Sequence, residues 1–178
     1  MKKLAKIFLL FLFVGISSQS CKKIDELLTF TVNDTSEVVI ESTLFPITLP
    51  FEIWTPPITT NSNEEFANNN TKASLVKDVY ITHLDIAIVS PSDKTFSFLK
   101  SMTIFISTND NDEIELARKE NISSNDKVLN MSVTSSRLDS YIKASTYNLR
   151  TEVTTHETLT EDITLEIDMS FKVTADPL

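Results

Sequence analysis

Ile163 to Thr174 reads ITLEIDMSFKVT, with each odd position apolar and each even one polar or charged. Successive side chains on an extended chain point to opposite sides, so strict alternation over this length marks a β-strand with one buried and one wet face. Just upstream, Tyr147, Leu149, Thr151 and Val153 alternate with Asn148, Arg150, Glu152 and Thr154. The His156 to Thr160 stretch between them suits a hairpin with a longer loop, so the two strands are expected to pair, with Arg150 facing Glu166 or Asp168.

Working outward, Val79 to Val89 reads as a long strand with Tyr80, Leu84, Ile86 and Ile88 on one face. Met102 to Thr108 is another, and Ile114 and Leu116 continue it as a hairpin partner beyond the Asn109 to Asp112 turn. Val128 to Val133 supplies Leu129, Met131 and Val133, while Leu28 to Val32 and Val38 to Glu41 flank an Asn33-Asp34 turn. Ser62-Asn63-Glu64-Glu65 has the capping-box pattern of a short helix, with Ser62 as its cap. Ser136 to Lys143 places Leu138, Tyr141 and Ile142 on one helical side. The stretch Phe45 to Pro57 is extended, and its prolines keep it out of a central strand. About seven strands at regular turn spacing predict an all-β fold, an antiparallel β-sandwich of broadly immunoglobulin-like architecture with two short helices. It is expected to occupy residues 28–178 as a single domain, a closed barrel being the alternative.

Glycine is absent after Gly15, which is the only one in the chain. Phosphate-binding loops, dinucleotide fingerprints and nucleophile elbows all need glycine for tight turns and close backbone approach, so nucleotide cofactors are excluded. Turns must use Asn, Asp, Ser and Pro instead, as at Pro91-Ser92-Asp93, Asn109-Asp110-Asn111-Asp112 and Ser124-Asn125-Asp126.

The N-terminus carries Lys2, Lys3 and Lys6, an apolar run from Ile7 to Ile16, and then Ser17-Ser18-Gln19-Ser20 ahead of Cys21, the sole cysteine. This is the anatomy of an export signal. The run is shorter than the roughly 20 residues of a membrane-spanning helix. Small residues followed at once by cysteine resemble the lipobox of bacterial lipoproteins, in the relaxed Ser-Cys-Lys form of Bacteroidota-type members, with Ser18 where leucine is usual. The resemblance implies a signal peptide over 1–20, diacylglyceryl and N-acyl groups on Cys21, and an outer-membrane location with the periplasmic or surface face open. It covers the chain only to about Glu26. A tether over 21–27, at ~3.5 Å per residue, keeps the domain within about 25 Å of its membrane.

Without the signal's three lysines, 13 basic and 25 acidic residues leave a formal charge of 13 − 25 = −12. Nucleic-acid binding needs clustered Lys and Arg, and there is no such cluster. His83 and His156 form no zinc spacing, so neither a metal nor any other cofactor is expected. Asp110 to Glu115 supplies oxygen ligands but departs from the helix-loop-helix calcium pattern, and reads as a turn. Glu161-Asp162 and Glu166/Asp168 read as a solvated face rather than glycosidase carboxylates. Trp54 beside Pro56-Pro57 has two readings. With Phe51 it covers an open edge of the core, or it stacks on a ligand. For a ligand site the candidates are Trp54, Tyr141 and His156. The expected function is a membrane-anchored, non-catalytic binding or accessory module of the cell envelope, with a glycan or protein partner. A structural envelope component in a protein complex is the alternative, and a hydrolase a more remote one.

Overall fold

The computed structural model describes residues 28–42, 50–122, 125–157 and 159–176. The signal segment 1–20, Cys21 with the 21–27 tether, and residues 43–49 of the proline-rich stretch lie outside the described residues. Ten strands are present among the described residues: β1 (Thr29–Ile40), β2 (Phe51–Trp54), β3 (Ile58–Thr59), β4 (Val76–Ser90), β5 (Leu99–Ser107), β6 (Ile114–Lys119), β7 (Val128–Asn130), β8 (Ser132–Val133), β9 (Thr146–Thr155) and β10 (Ile163–Ala175). They form two sheets, ordered β1-β10-β4-β7 and β2-β9-β5-β6-β8, with β3 also paired to β9. Every pairing is antiparallel.

The all-β antiparallel sandwich is therefore present. Its connectivity crosses repeatedly between sheets, and the first and last strands lie side by side, which is the order of a jelly roll. An immunoglobulin order keeps different neighbours together. At one side β7 belongs to the first sheet and β8 to the second, so the chain bends across the gap at the buried Met131.

The core lies between the inner faces. All seven odd residues of β10, from Ile163 to Ala175, are buried, and the six from Ile163 to Val173 meet Met102, Ile104 and Ile106 of β5 and Tyr147, Leu149 and Val153 of β9 in one cluster with Leu84, Ile86 and Ile88. Each large apolar side chain so buried contributes about 1.5–3 kcal/mol.

Several local expectations are corrected. β9 and β10 do not form a hairpin: the flanks of β10 are taken by β1 and β4, and those of β9 by β2, β3 and β5. Glu166 consequently lies opposite Glu37 and Ala87, and Asp168 opposite Thr35 and Asp85, none of them near Arg150 in register. Asn33 and Asp34 make no turn either. They sit inside β1, which pairs residue for residue with β10, so that Asp34 points inward. There its carboxylate accepts a 2.8 Å hydrogen bond from the Tyr147 hydroxyl.

In β4 the register passes from Ile81 opposite Phe171 to His83 opposite Ser170, leaving Thr82 as a bulge. The bulge shifts the parity, so Val79 and Ile81 share the inner face with Leu84, Ile86 and Ile88, and Tyr80 points outward. Helix α1 (Ser62–Asn68) has Asn61 at its N-cap position, without a side-chain capping hydrogen bond, and Ser62 is buried within its first turn. It ends in a Schellman arrangement: the Thr71 amide donates to the Phe66 carbonyl, the Asn70 amide donates to that of Ala67, and Asn70 takes φ 56°. Asparagine here supplies the left-handed residue that glycine usually provides. Helix α2 (Asp139–Ile142) buries Tyr141 and Ile142 beside Leu138, as the sequence spacing predicts.

Candidate binding site

Four side chains form a row across the outer face of the second sheet. Register places Trp54 of β2 opposite Arg150 of β9, Arg150 opposite Phe105 of β5, and Phe105 opposite Glu115 of β6. Their placement follows from alternation. Ile53, Ile104, Ile106, Leu149 and Thr151 are buried, so the residues between them turn outward.

Arg150 is the centre of the row, with only 11% of its side chain exposed. Its guanidinium lies over the Phe105 ring at 4.0 Å from the centroid and 5.9 Å from that of Trp54. It donates two hydrogen bonds to Glu113, at 2.9 and 2.7 Å, and one to Glu52 at 2.9 Å. Glu152 stands 3.7 Å away. The hydrogen bond from Arg150 holds the Glu113 carboxyl below the usual carboxylate range, and Glu113 in turn raises the arginine.

Beside the row opens a cleft of about 450 Å³, lined by Glu52 and Trp54 of β2, Asn148 and Arg150 of β9, Ser107 of β5, and Asn109, Asp110 and Glu113 of the following turn. That turn is held from within. The Asp112 carboxylate accepts hydrogen bonds from the Thr108 amide (2.8 Å) and hydroxyl, and from the Asn109 amide (3.1 Å) and side chain (2.9 Å). Desolvation pushes the Asp112 carboxyl up, but these hydrogen bonds together outweigh it and hold the group below the usual range. From inside the sandwich, the Tyr141 hydroxyl donates to the Asp112 carbonyl.

Of the three candidate ligand residues, Trp54 alone lines the cleft. It is 57% exposed, while Phe51, on the other face of the same short strand, packs against the core. The two therefore do not cover one edge together. Tyr141 is buried and supports the turn from behind. His156 lies six residues along from Arg150, about 20 Å away at strand rise, with its amide on the Phe98 carbonyl. His83 pairs with Asp85 at 2.9 Å on the other sheet. Glu161 pairs with Lys94, and Asp162 accepts from the Ser42 amide and hydroxyl. Among the described residues no group of three or more His, Asp or Glu side chains is placed to hold a metal ion, and no helix is long and apolar enough to cross a membrane.

Sequence reasoning missed Arg150, Phe105 and Asn148 as site residues. A signal existed for Phe105, an aromatic of outward parity between Ile104 and Ile106. Nothing in the sequence placed β2 beside β9.

No family model and no curated protein matches the chain. Among solved structures it is similar to turnip yellow mosaic virus, at 13% identity and a TM-score of 0.33, covering 85% of this chain and 95% of that one. Desmodium yellow mottle tymovirus (10% identity, TM-score 0.30, 84% of this chain and 90% of that one) and the decameric BFDV capsid protein (8%, 0.36, 83% and 99%) are comparable. Likenesses this weak carry no argument about what the chain does.

Proposed function

We propose that this chain is a membrane-anchored, non-catalytic binding module of the cell envelope, tethered through lipidated Cys21 at the outer membrane and holding a glycan or protein partner at the cleft of the second sheet. The observation that carries this reading is Trp54, an indole 57% exposed beside a cleft in which Arg150, Glu52, Glu113 and Asn109 are held by hydrogen bonds. An exposed aromatic in a rigid polar surround is suited to recognition, because few contacts need ordering when a ligand arrives. The cleft is ill suited to acid-base chemistry. Glu52 and Glu113 are both tied to the Arg150 guanidinium, and Glu113 is thereby kept ionised.

Two measurements test it. Cys21→Ala should move the protein from the membrane to the soluble fraction, and retention on the membrane would overturn the anchor. A photo-crosslinker at position 54 should capture an envelope glycan or protein on intact cells, and an empty result at that position, with capture elsewhere, would place the binding surface away from the cleft.

A second reading, a structural component joined to a neighbour by strand addition, is supported by β1. One flank of β1 pairs with β10 over twelve residues, while the other carries no strand among the described residues. Crosslinking from Glu37 to one dominant envelope protein would favour it over the cleft.

A further inference from the structure

The cleft's own charges restrict what it accepts. A cationic ligand group would seek the aromatic faces, but Arg150 already occupies that place, 4.0 Å from the Phe105 centroid and 5.9 Å from that of Trp54. An anionic ligand would seek the arginine, but Glu52, Glu113 and Glu152 surround its guanidinium, and Asp110 adds a fourth carboxylate at the cleft. Anions thus meet an excess of carboxylate, and a cation finds both aromatic faces taken, its remaining attraction being to Asp110 alone.

Beside that carboxylate, the cleft offers uncharged polar recognition. The side chains of Asn148, Ser107 and Asp110 line the cleft and make no hydrogen bond to other described residues. They offer an amide donor and acceptor, a hydroxyl and a carboxylate acceptor, next to an exposed indole. Sugar rings present this same pairing, with C–H bonds on one face and hydroxyls that both donate and accept around the rim. The volume of about 450 Å³ lies within the ~300–1,000 Å³ of small-molecule sites.

We propose that the cleft binds a neutral saccharide, one ring stacked on Trp54 and its hydroxyls engaged by Asn148, Ser107 and Asp110. This inference rests on the binding-module reading and narrows its ligand to one class.

The test uses the full chain purified in detergent, titrated with a neutral β-glucan, an α-mannan, a galactan, polygalacturonate and hexalysine. Binding is followed by calorimetry and by the emission of Trp54, the sole tryptophan. At least one neutral glycan should bind saturably and shift the emission, with an affinity changing less than about twofold between low and high salt. Trp54→Ala should weaken binding at least about tenfold and Asn148→Ala about threefold or more. Tyr80→Ala, an exposed aromatic on the other sheet, should leave it unchanged. Binding of polygalacturonate or hexalysine alone, lost with Trp54→Ala, would overturn the ligand class and leave the binding module standing. Neutral-glycan binding that survives Trp54→Ala would overturn the site. No response to any of the five also overturns the inference, and the broader reading then fails only if the crosslinker at position 54 captures nothing.

Discussion

At the residue scale, Arg150 and Asp34 show two opposite uses of charge. Arg150 ties β2, β9 and the turn after β5 together, through Glu52 and the paired oxygens of Glu113. Arg150→Ala leaves three carboxylates facing one another and should lower the unfolding free energy by about 2–3 kcal/mol, read from urea denaturation. Arg150→Lys keeps the charge but loses the fork geometry, and should fall between. A loss below about 0.5 kcal/mol for the alanine variant would reduce the cluster to an ordinary surface ion pair. The pH dependence follows from Glu113, whose folded pKa is lowered. Its stabilisation is present above the unfolded carboxyl pKa of about 4.3 and is lost as pH falls through the folded value, so Arg150→Ala should flatten the acid limb of the stability curve.

Asp34 has the contrary sign. Burial raises its carboxyl, against the hydrogen bonds from Tyr147 and the Thr35 amide. Burial of the ionised form is a cost to the fold. As pH falls through its raised folded value, the folded state takes up the proton first and gains stability. Asp34→Asn, which still offers an oxygen to the Tyr147 hydroxyl, should therefore be at least as stable as the wild type at pH 7, with its advantage shrinking as pH falls through the raised folded value. A variant clearly less stable at pH 7 would mean that the charged hydrogen bond outweighs desolvation.

At the scale of the element, the Thr108 to Glu113 turn does without glycine because Asp112 gathers the orphan donors of its own loop. Asp112→Ala should cost about 1–2 kcal/mol and raise amide exchange at residues 108–113 well above that of β10. Equal exchange in the variant and the wild type would show that the turn is held without the Asp112 carboxylate, by the Tyr141 hydroxyl and the Asn109 side chain. Elements of this kind were legible in the sequence: the β5–β6 hairpin with its Asn/Asp turn, the alternation of β9 and β10, and the brief helix around Tyr141. Alternation reports whether one face of a strand is buried, and turn residues report where the chain reverses. The Asn33-Asp34 turn misled for the same reason, since a dipeptide that favours turns can sit inside a strand when its partner pairs along the whole length.

At the scale of the whole molecule, strand order was not legible, and the site depends on strand order. Alternation in β9 and β10 says that each has an inner face, but a strand can bury that face equally well in the same sheet as its neighbour or in the opposite one. The short connection suggested the former, and the fold takes the latter. Arg150 was therefore read as an ion-pair residue with the wrong partners, while Trp54 could not be set beside it. The same order makes β10 the keystone of the first sheet, paired on one flank with β1 over twelve residues and on the other with β4. Phe171, fully buried at its centre, is where both pairings and the opposite sheet are felt at once. Phe171→Ala should cost about 3–5 kcal/mol, a large part of the 5–15 kcal/mol available to a domain of this kind. Because β1 and β10 lie far apart in sequence, closing that pair commits most of the chain, and the loss should be cooperative. Urea transitions followed by Trp54 emission, which reports the second sheet, and by far-ultraviolet circular dichroism should move to lower midpoint together. If the dichroism alone moved while the Trp54 signal kept its midpoint, the two sheets would unfold separately, and β10 would not be the element that joins them.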